Sequence, residues 1–247
     1  MDKNKLKRLL PVKLIDFSPA NKRYYKDLHR FITAPCGRRS RKTLIGTRKM
    51  LIDRGRGALM LPGYAYFFAA PTRQQAKKIF WEKLKRDTKL FWAKPPLETE
   101  LIIFLLNGSQ LQVVGLEKAE RIEGQTDPPV KGIMITEMGN VKPDMWSEHI
   151  RPILSDNKGF AIIEGTPEGR NHYFKMASYA AGGILPETKP MEGAYAENPD
   201  DPEWSYHSWW SSDVLPKNEI DSAKRTLDPR SFEQEYEAGF VSYEGNL

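Results

Sequence analysis

Short apolar runs alternate with helix-spaced apolar positions along this chain, a pattern that predicts an α/β fold: a mainly parallel sheet flanked by helices. Residues 30–34 (RFITA) read as a strand entering a polar loop at 35–41. Over 42–54, Leu44, Ile45, Met50, Leu51 and Ile52 group at helical spacing, and Gly55 and Gly57 follow where a helix stop is expected. The near-continuous apolar run 64–70 (YAYFFAA) fits a strand buried on both faces. After Pro71-Thr72, residues 73–88 have the pattern of an amphipathic helix. Segments 101–106 and 110–114 flank Asn107-Gly108-Ser109 and predict a hairpin. Two more strands are expected at 132–136 (GIMIT) and 160–164 (FAIIE), with a helix around 144–154 between them. Residues 183–203, rich in Pro, Gly and acidic side chains, read as a long loop. A strand at 204–210, helices at 217–227 and 230–237, and a strand at 239–243 complete the pattern. The expected division is a core over 1–182 and a small lid or linker subdomain over 183–247.

Composition narrows the classes. The 247 residues are 40% hydrophobic and 11% aromatic, enough for a substantial core. No run of about 18 apolar residues argues for a membrane span. The basic N-terminus (MDKNKLKRLLPVKL) lacks the apolar stretch of a signal peptide. The single cysteine, Cys36, cannot form an internal disulfide, which fits a reducing cytoplasm, and four scattered histidines give no zinc spacing. An excess of 38 basic over 32 acidic residues, +6 overall, is a modest bias toward polyanions such as nucleic acid. The six tryptophans are expected to pack in the core and lid, not to stack on bases.

The chemistry concentrates at three strand ends. The first is strand, Cys36-Gly37-Arg38-Arg39-Ser40-Arg41-Lys42-Thr43, helix. A phosphate-binding loop needs backbone N–H groups at a helix N-terminus, a lysine for the β/γ oxygens and a hydroxyl for Mg²⁺. Lys42 and Thr43 stand in those places. The glycines of G-x-x-x-x-G-K-[ST], however, fall on Cys36 and Arg41, so a strict match fails and an ordinary basic loop stays open. The second is the strand ending Thr136-Glu137. ATPases of this class usually end it Asp-Glu, the Asp for the metal shell and the Glu for the attacking water. Glu137 fits the second role; Thr136 offers the metal only a hydroxyl. The third, Gly165-Thr166-Pro167-Glu168-Gly169-Arg170-Asn171, lies at the carboxyl end of its strand, where parallel sheets place their sites. Gly165, Thr166 and Asn171 are the candidate γ-phosphate sensors.

Taken in this order, the elements resemble the N-terminal ATPase half of the phage terminase large subunit. GRRS (37–40), Ala70-Pro71-Thr72 with Gln75-Ala76-Lys77, Met145-Trp146 with 150–154 (IRPIL), the 165–171 loop and 232–240 (FEQEYEAGF) carry the likeness across most of the chain. The resemblance implies a RecA-like P-loop ATPase with ATP and Mg²⁺ as cofactors, driving double-stranded DNA into a procapsid in the host cytoplasm. It also implies a portal protein and a small terminase subunit as partners, and a homo-oligomeric ring on the procapsid formed from subunits that are monomers in isolation. The family's nuclease half would begin just beyond Leu247. Its adenine-contacting glutamine would fall near Asn21, within 17–25, and Arg121 in ERIEG would be an arginine finger reaching a neighbouring subunit. Arg41 and Thr136 keep open a nucleotide-binding scaffold with impaired turnover. A helicase-like DNA-dependent ATPase shares the motif order but would need a second RecA-like domain. A non-enzymatic DNA-binding module would leave the three strand ends without a role.

Overall fold

The computed structural model describes residues 18–118, 122–124 and 127–242. Arg121 and Tyr243 lie outside the described residues. Eight strands form one sheet: β1 (Phe31–Pro35), β2 (Ala65–Ala70), β3 (Ile102–Phe104), β4 (Gln110–Gly115), β5 (Val130–Ile135), β6 (Phe160–Gly165), β7 (Ala194–Glu197) and β8 (Trp204–Ser208). Their order is β3-β4-β2-β5-β6-β1-β8-β7. The six inner strands run parallel, and β3 and β7 close the two edges antiparallel. This is the mainly parallel, helix-flanked architecture the sequence predicts.

Buried parallel strands carry apolar side chains on both faces, and β2 shows the consequence. Tyr66, Phe68 and Ala70 pack on one side, with Ile45, Met50 and Leu51 of the Lys42–Ile52 helix. Ala65, Phe67 and Ala69 pack on the other, with Ile150, Tyr173 and Ala177. The amphipathic segment 73–88 is helical throughout, with a π-helical turn, Lys77–Trp81, between regular stretches at Arg73–Ala76 and Glu82–Thr88. Thr72 and Gln75 start it with a reciprocal capping box. Trp81 and Trp209 are buried, as expected of core packing.

Four elements differ from the sequence expectation. Residues 183–203 are not a continuous loop, because β7 lies within them and pairs with β8; its four residues are hidden among Pro, Gly and acidic neighbours. No strand forms over the described part of 239–243. The helices Pro19–Lys26 and His172–Ala180 were not anticipated; both open on polar caps, Ser18 and Asn171. The sheet also runs past residue 183, since β8 pairs with β1. Among the described residues, the part that follows the sheet is 209–242, which carries the helices Lys217–Thr226 and Pro229–Tyr236.

Candidate active site

The loop between β1 and the Lys42–Ile52 helix sits at the carboxyl end of the parallel strands, where the helix N-terminus points its free N–H groups outward. It borders an open cavity of about 470 Å³ lined by residues 38–44 together with Gln75, Glu137, Asn140 and Thr166. Three segments far apart in sequence thus converge: the 36–43 loop, the end of β5 and the end of β6.

Arg41, at the position where the consensus has its second glycine, is the N-cap residue and adopts φ 65°, ψ 11°, the left-handed region. The loop therefore takes the closed turn a glycine would allow, and Arg41 bears the strain of it. Arg39 (φ 56°) and Glu137 (φ 54°) are left-handed as well. Three of the seven non-glycine residues with this backbone among the described residues line this one cavity. Such strain concentrates where the surrounding structure holds a functional geometry.

Lys42 is almost fully buried, and its ammonium donates to the carbonyls of Cys36 and Gly37 (both 3.3 Å) and to the Thr166 hydroxyl (3.2 Å). That hydroxyl links the β6 end directly to the loop lysine. Cys36 is buried, and burial pushes its thiol well above the usual range, so it packs as a small apolar side chain. The loop is also clasped from behind. The Gly37 N–H donates to Trp209 O (3.0 Å), and Arg38 N–H to Glu235 O (2.6 Å). The Ser211 hydroxyl donates to Arg38 O (2.7 Å), the Trp209 indole to Ser40 O (2.9 Å), and the Arg38 guanidinium pairs with Glu235. A Cβ on Gly37 would meet Ser211 Oγ at 2.5 Å and Tyr236 O at 2.7 Å, so the clasp requires glycine there.

The other sequence candidates separate. Thr136 is buried and does not line the cavity. Gly165 closes β6 and packs against residues 137–138. Asn171 does not line the cavity: its side chain caps the His172–Ala180 helix, accepting from Tyr173 and Phe174 N–H and donating to Gly139 O (3.2 Å). Asn21 is buried in the Pro19–Lys26 helix, its amide nitrogen unpaired. Gln75 and Asn140 line the cavity although the motifs did not single them out as site residues. One charged group went unnoticed. Glu164, fully buried at the end of β6, has its carboxyl pushed up to about 7 by burial, against the opposing pull of Thr43, Lys42 and Thr136. The signal for it is a carboxylate that follows four apolar residues, Phe160–Ile163, in the strand pattern.

Comparison with known proteins adds a second line. No family model matches the chain. It is 27% identical over 223 residues to the terminase large subunit of Escherichia phage T5, covering 89% of this chain and 46% of that protein. To the terminase large subunit of Thermus virus P23-45 it is 26% identical over 207 residues, covering 75% and 41%. The chain thus spans less than half the length of these curated relatives. Among solved structures, the large terminase ATPase domain of Thermus phage P74-26 superposes with a TM-score of 0.72 at 23% identity, covering 97% of this chain and 98% of that one. The large terminase of another thermophilic bacteriophage, solved in complex with ADP, gives 0.68 at 12% identity, covering 91% and 54%. By sequence the chain is similar to phage terminase large subunits, and its fold is that of their ATPase domain.

Proposed function

We propose that this chain binds ATP with Mg²⁺ in the cavity over residues 38–44 and hydrolyses it to drive double-stranded viral DNA into a procapsid. The observation that carries the reading is the convergence of Lys42, Glu137 and Thr166 on one cavity at the start of the Lys42–Ile52 helix. The similarity to terminase large subunits supplies the biological setting.

The residues divide the work. The N–H groups of residues 39–43 and the helix dipole attract phosphate oxygens, and the Arg39 and Arg41 side chains add positive charge at the cavity wall. Lys42 exchanges its contacts with Cys36 and Gly37 carbonyls for the β/γ oxygens. Thr43, with Thr136 behind it, offers hydroxyls suited to a hydrated divalent cation, and the buried, unpaired carboxyl of Glu164 makes the donor set fit one. Bound Mg²⁺ would neutralise the charge that develops on the phosphates. Glu137 orients the attacking water and takes its proton. Thr166, bonded to Lys42, carries the state of the γ-phosphate into β6 and the loop ending at Asn171.

In the wider reading the helices Lys217–Thr226 and Pro229–Tyr236, which follow the last strand of the sheet, form the lid or linker, and the chain acts in the host cytoplasm as a ring on the procapsid with portal protein and small terminase subunit. Arg121 is its proposed arginine finger, supplied to a neighbouring subunit. Slow turnover in the isolated chain is part of the proposal, since a finger supplied in trans is worth about 10³–10⁵-fold in related enzymes. The test compares Lys42→Ala with Glu137→Gln for binding of fluorescent ATP and for phosphate release. Lys42→Ala is expected to lose binding. Glu137→Gln should keep binding and lose on the order of 10²-fold in turnover. An unchanged hydrolysis rate in Glu137→Gln would remove that residue from the mechanism.

A further inference from the structure

Glu164 is the buried acid whose burial its polar neighbours, Thr43, Lys42 and Thr136, only partly offset. It is fully buried, and the Thr43 and Thr136 hydroxyls and the Lys42 ammonium favour its charged form without bringing a donor to full hydrogen-bond geometry on either oxygen. A buried polar atom left unpaired costs on the order of 1–3 kcal/mol, and a buried charge more, so an apolar residue would serve the core better. The position of this carboxylate suggests why it is there. The register pairing Ile135 with Ile163 and Ala34 with Glu164 brings Glu164 level with Thr136 on one side and with the strand entering the loop on the other. Met134 and Ile162, two residues earlier on their strands, share a core cluster with Ile45 of the Lys42–Ile52 helix. By strand alternation, Thr136 and Glu164 therefore face that helix. Glu164 Oε2 lies 3.3 Å from where a Cβ on Gly46 would stand, under the turn that begins at Thr43. Gly46 leaves the room: a methyl group there would also press within 2.6 Å of Met134 Cε.

Resting on the reading above, we propose that Glu164 supplies the negative charge for the divalent cation that accompanies the nucleotide, in place of the carboxylate that position 136 lacks. The acid has moved one strand sideways, from the end of β5 to the end of β6, while facing the same helix turn. Thr43 and Thr136 are the hydroxyls between which it acts. It is a positioning group for the cation's hydration shell, and its loss should be felt in cation affinity before anything else.

The experiment measures binding, not turnover. ADP affinity is determined with Mg²⁺ and with EDTA, and Mn²⁺ affinity of the ADP complex by electron paramagnetic resonance, for the unaltered chain, Glu164→Gln, Thr136→Asp and the double variant. Glu164→Gln is expected to weaken Mn²⁺ binding by about tenfold or more, with ADP affinity in EDTA unchanged. Thr136→Asp in the Glu164→Gln background should restore it. Thr136→Asp alone tests the same point without touching Glu164: the charge is already supplied, so Mn²⁺ affinity should change by less than about threefold. Equal Mn²⁺ affinity in Glu164→Gln and the unaltered chain overturns the inference alone, as does a tenfold gain from Thr136→Asp alone. If the unaltered chain binds no ADP under any condition, the proposed function falls and this inference with it.

Discussion

Arg41 joins sequence and mechanism most directly at the scale of single residues. A glycine before the lysine lets the loop backbone close in a conformation that side chains disfavour. Arg41 occupies that conformation at φ 65°, so the loop keeps its shape and the residue carries the strain. Arg41→Gly should raise stability by about 1 kcal/mol, a rise of roughly 2–4 °C in melting temperature for a chain of this size. It should also weaken ATP binding several-fold, because a cation leaves the cavity wall. A thermal melt and a nucleotide titration on the same sample check both signs, and a lower melting temperature would show that Arg41 makes contacts worth more than the strain. Motif position singles out Lys42 and Glu137, and both line the cavity. It does not single out Glu164, because a strand-end glutamate has the same appearance in sequence whether it faces solvent or lies under a helix.

Between elements, the decisive contact is the clasp on the 36–43 loop. The end of β8 and the Pro229–Tyr236 helix hold the loop from behind through Trp209, Ser211 and Glu235. This gives the segment after β8 a mechanical link to the 36–43 loop, and movement of either should reach the other. Gly37→Ala places a methyl group against Ser211 Oγ and N and against Tyr236 O, two of which are backbone atoms that cannot rotate away. We expect a loss of about 1–3 kcal/mol in stability. Hydrogen–deuterium exchange should quicken over 209–213 and 229–236, with little change in β3 and β4. Protection equal to that of the unaltered chain in those two segments would mean that the clasp does not bear on the loop.

At the scale of the whole molecule, a buried polar hub ties β8 to the helices. Asp27, just past the Pro19–Lys26 helix, accepts from the Ser205 hydroxyl, from His207 Nε2 and from the His29 ring nitrogen, each at 2.6 Å. Lys49 donates to Asp27 O (2.5 Å) and to Asp53 (3.2 Å). Burial would raise the Asp27 carboxyl, but His207, Ser205 and the His29 N–H outweigh it and hold it well below the usual range. Burial keeps the His207 pKa low despite Asp27, and pushes Lys49 down to about 8. All three groups bind protons more readily in the unfolded chain. Each therefore contributes stability that is lost as pH falls: Lys49 from about 10 down to 8, His207 below about 6.5, and Asp27 below about 4. Between pH 7.5 and 4 the hub's share of this is carried by His207, and Glu164, raised to about 7, titrates there with the opposite sign. Urea unfolding at pH 7.5, 5.5 and 4 in a Glu164→Gln background should therefore show a fall on the order of 1–3 kcal/mol, shallower when His207→Gln is added. A flat profile in the Glu164→Gln background would mean that the hub titrates alike in both states.

The sequence by itself determined the element types, the parallel sheet and the three strand ends that meet at the cavity. Those depend on apolar periodicity and on local backbone rules, which act over a few residues. It also singled out Lys42, Thr43 and Glu137, which line the cavity, since the motifs they belong to are defined by spacing. The tertiary structure alone decided the rest. That β7 exists, that Asn171 caps a helix and leaves the cavity to Asn140 and Gln75, and that the segment after β8 clasps Gly37 all depend on contacts between residues distant in the chain. The position of Glu164 beside Thr136 depends on strand order: β6 lies between β5 and β1 although it follows both in sequence. Periodicity fixes which face of a strand a residue occupies, and only the assembled sheet fixes which strand lies beside it.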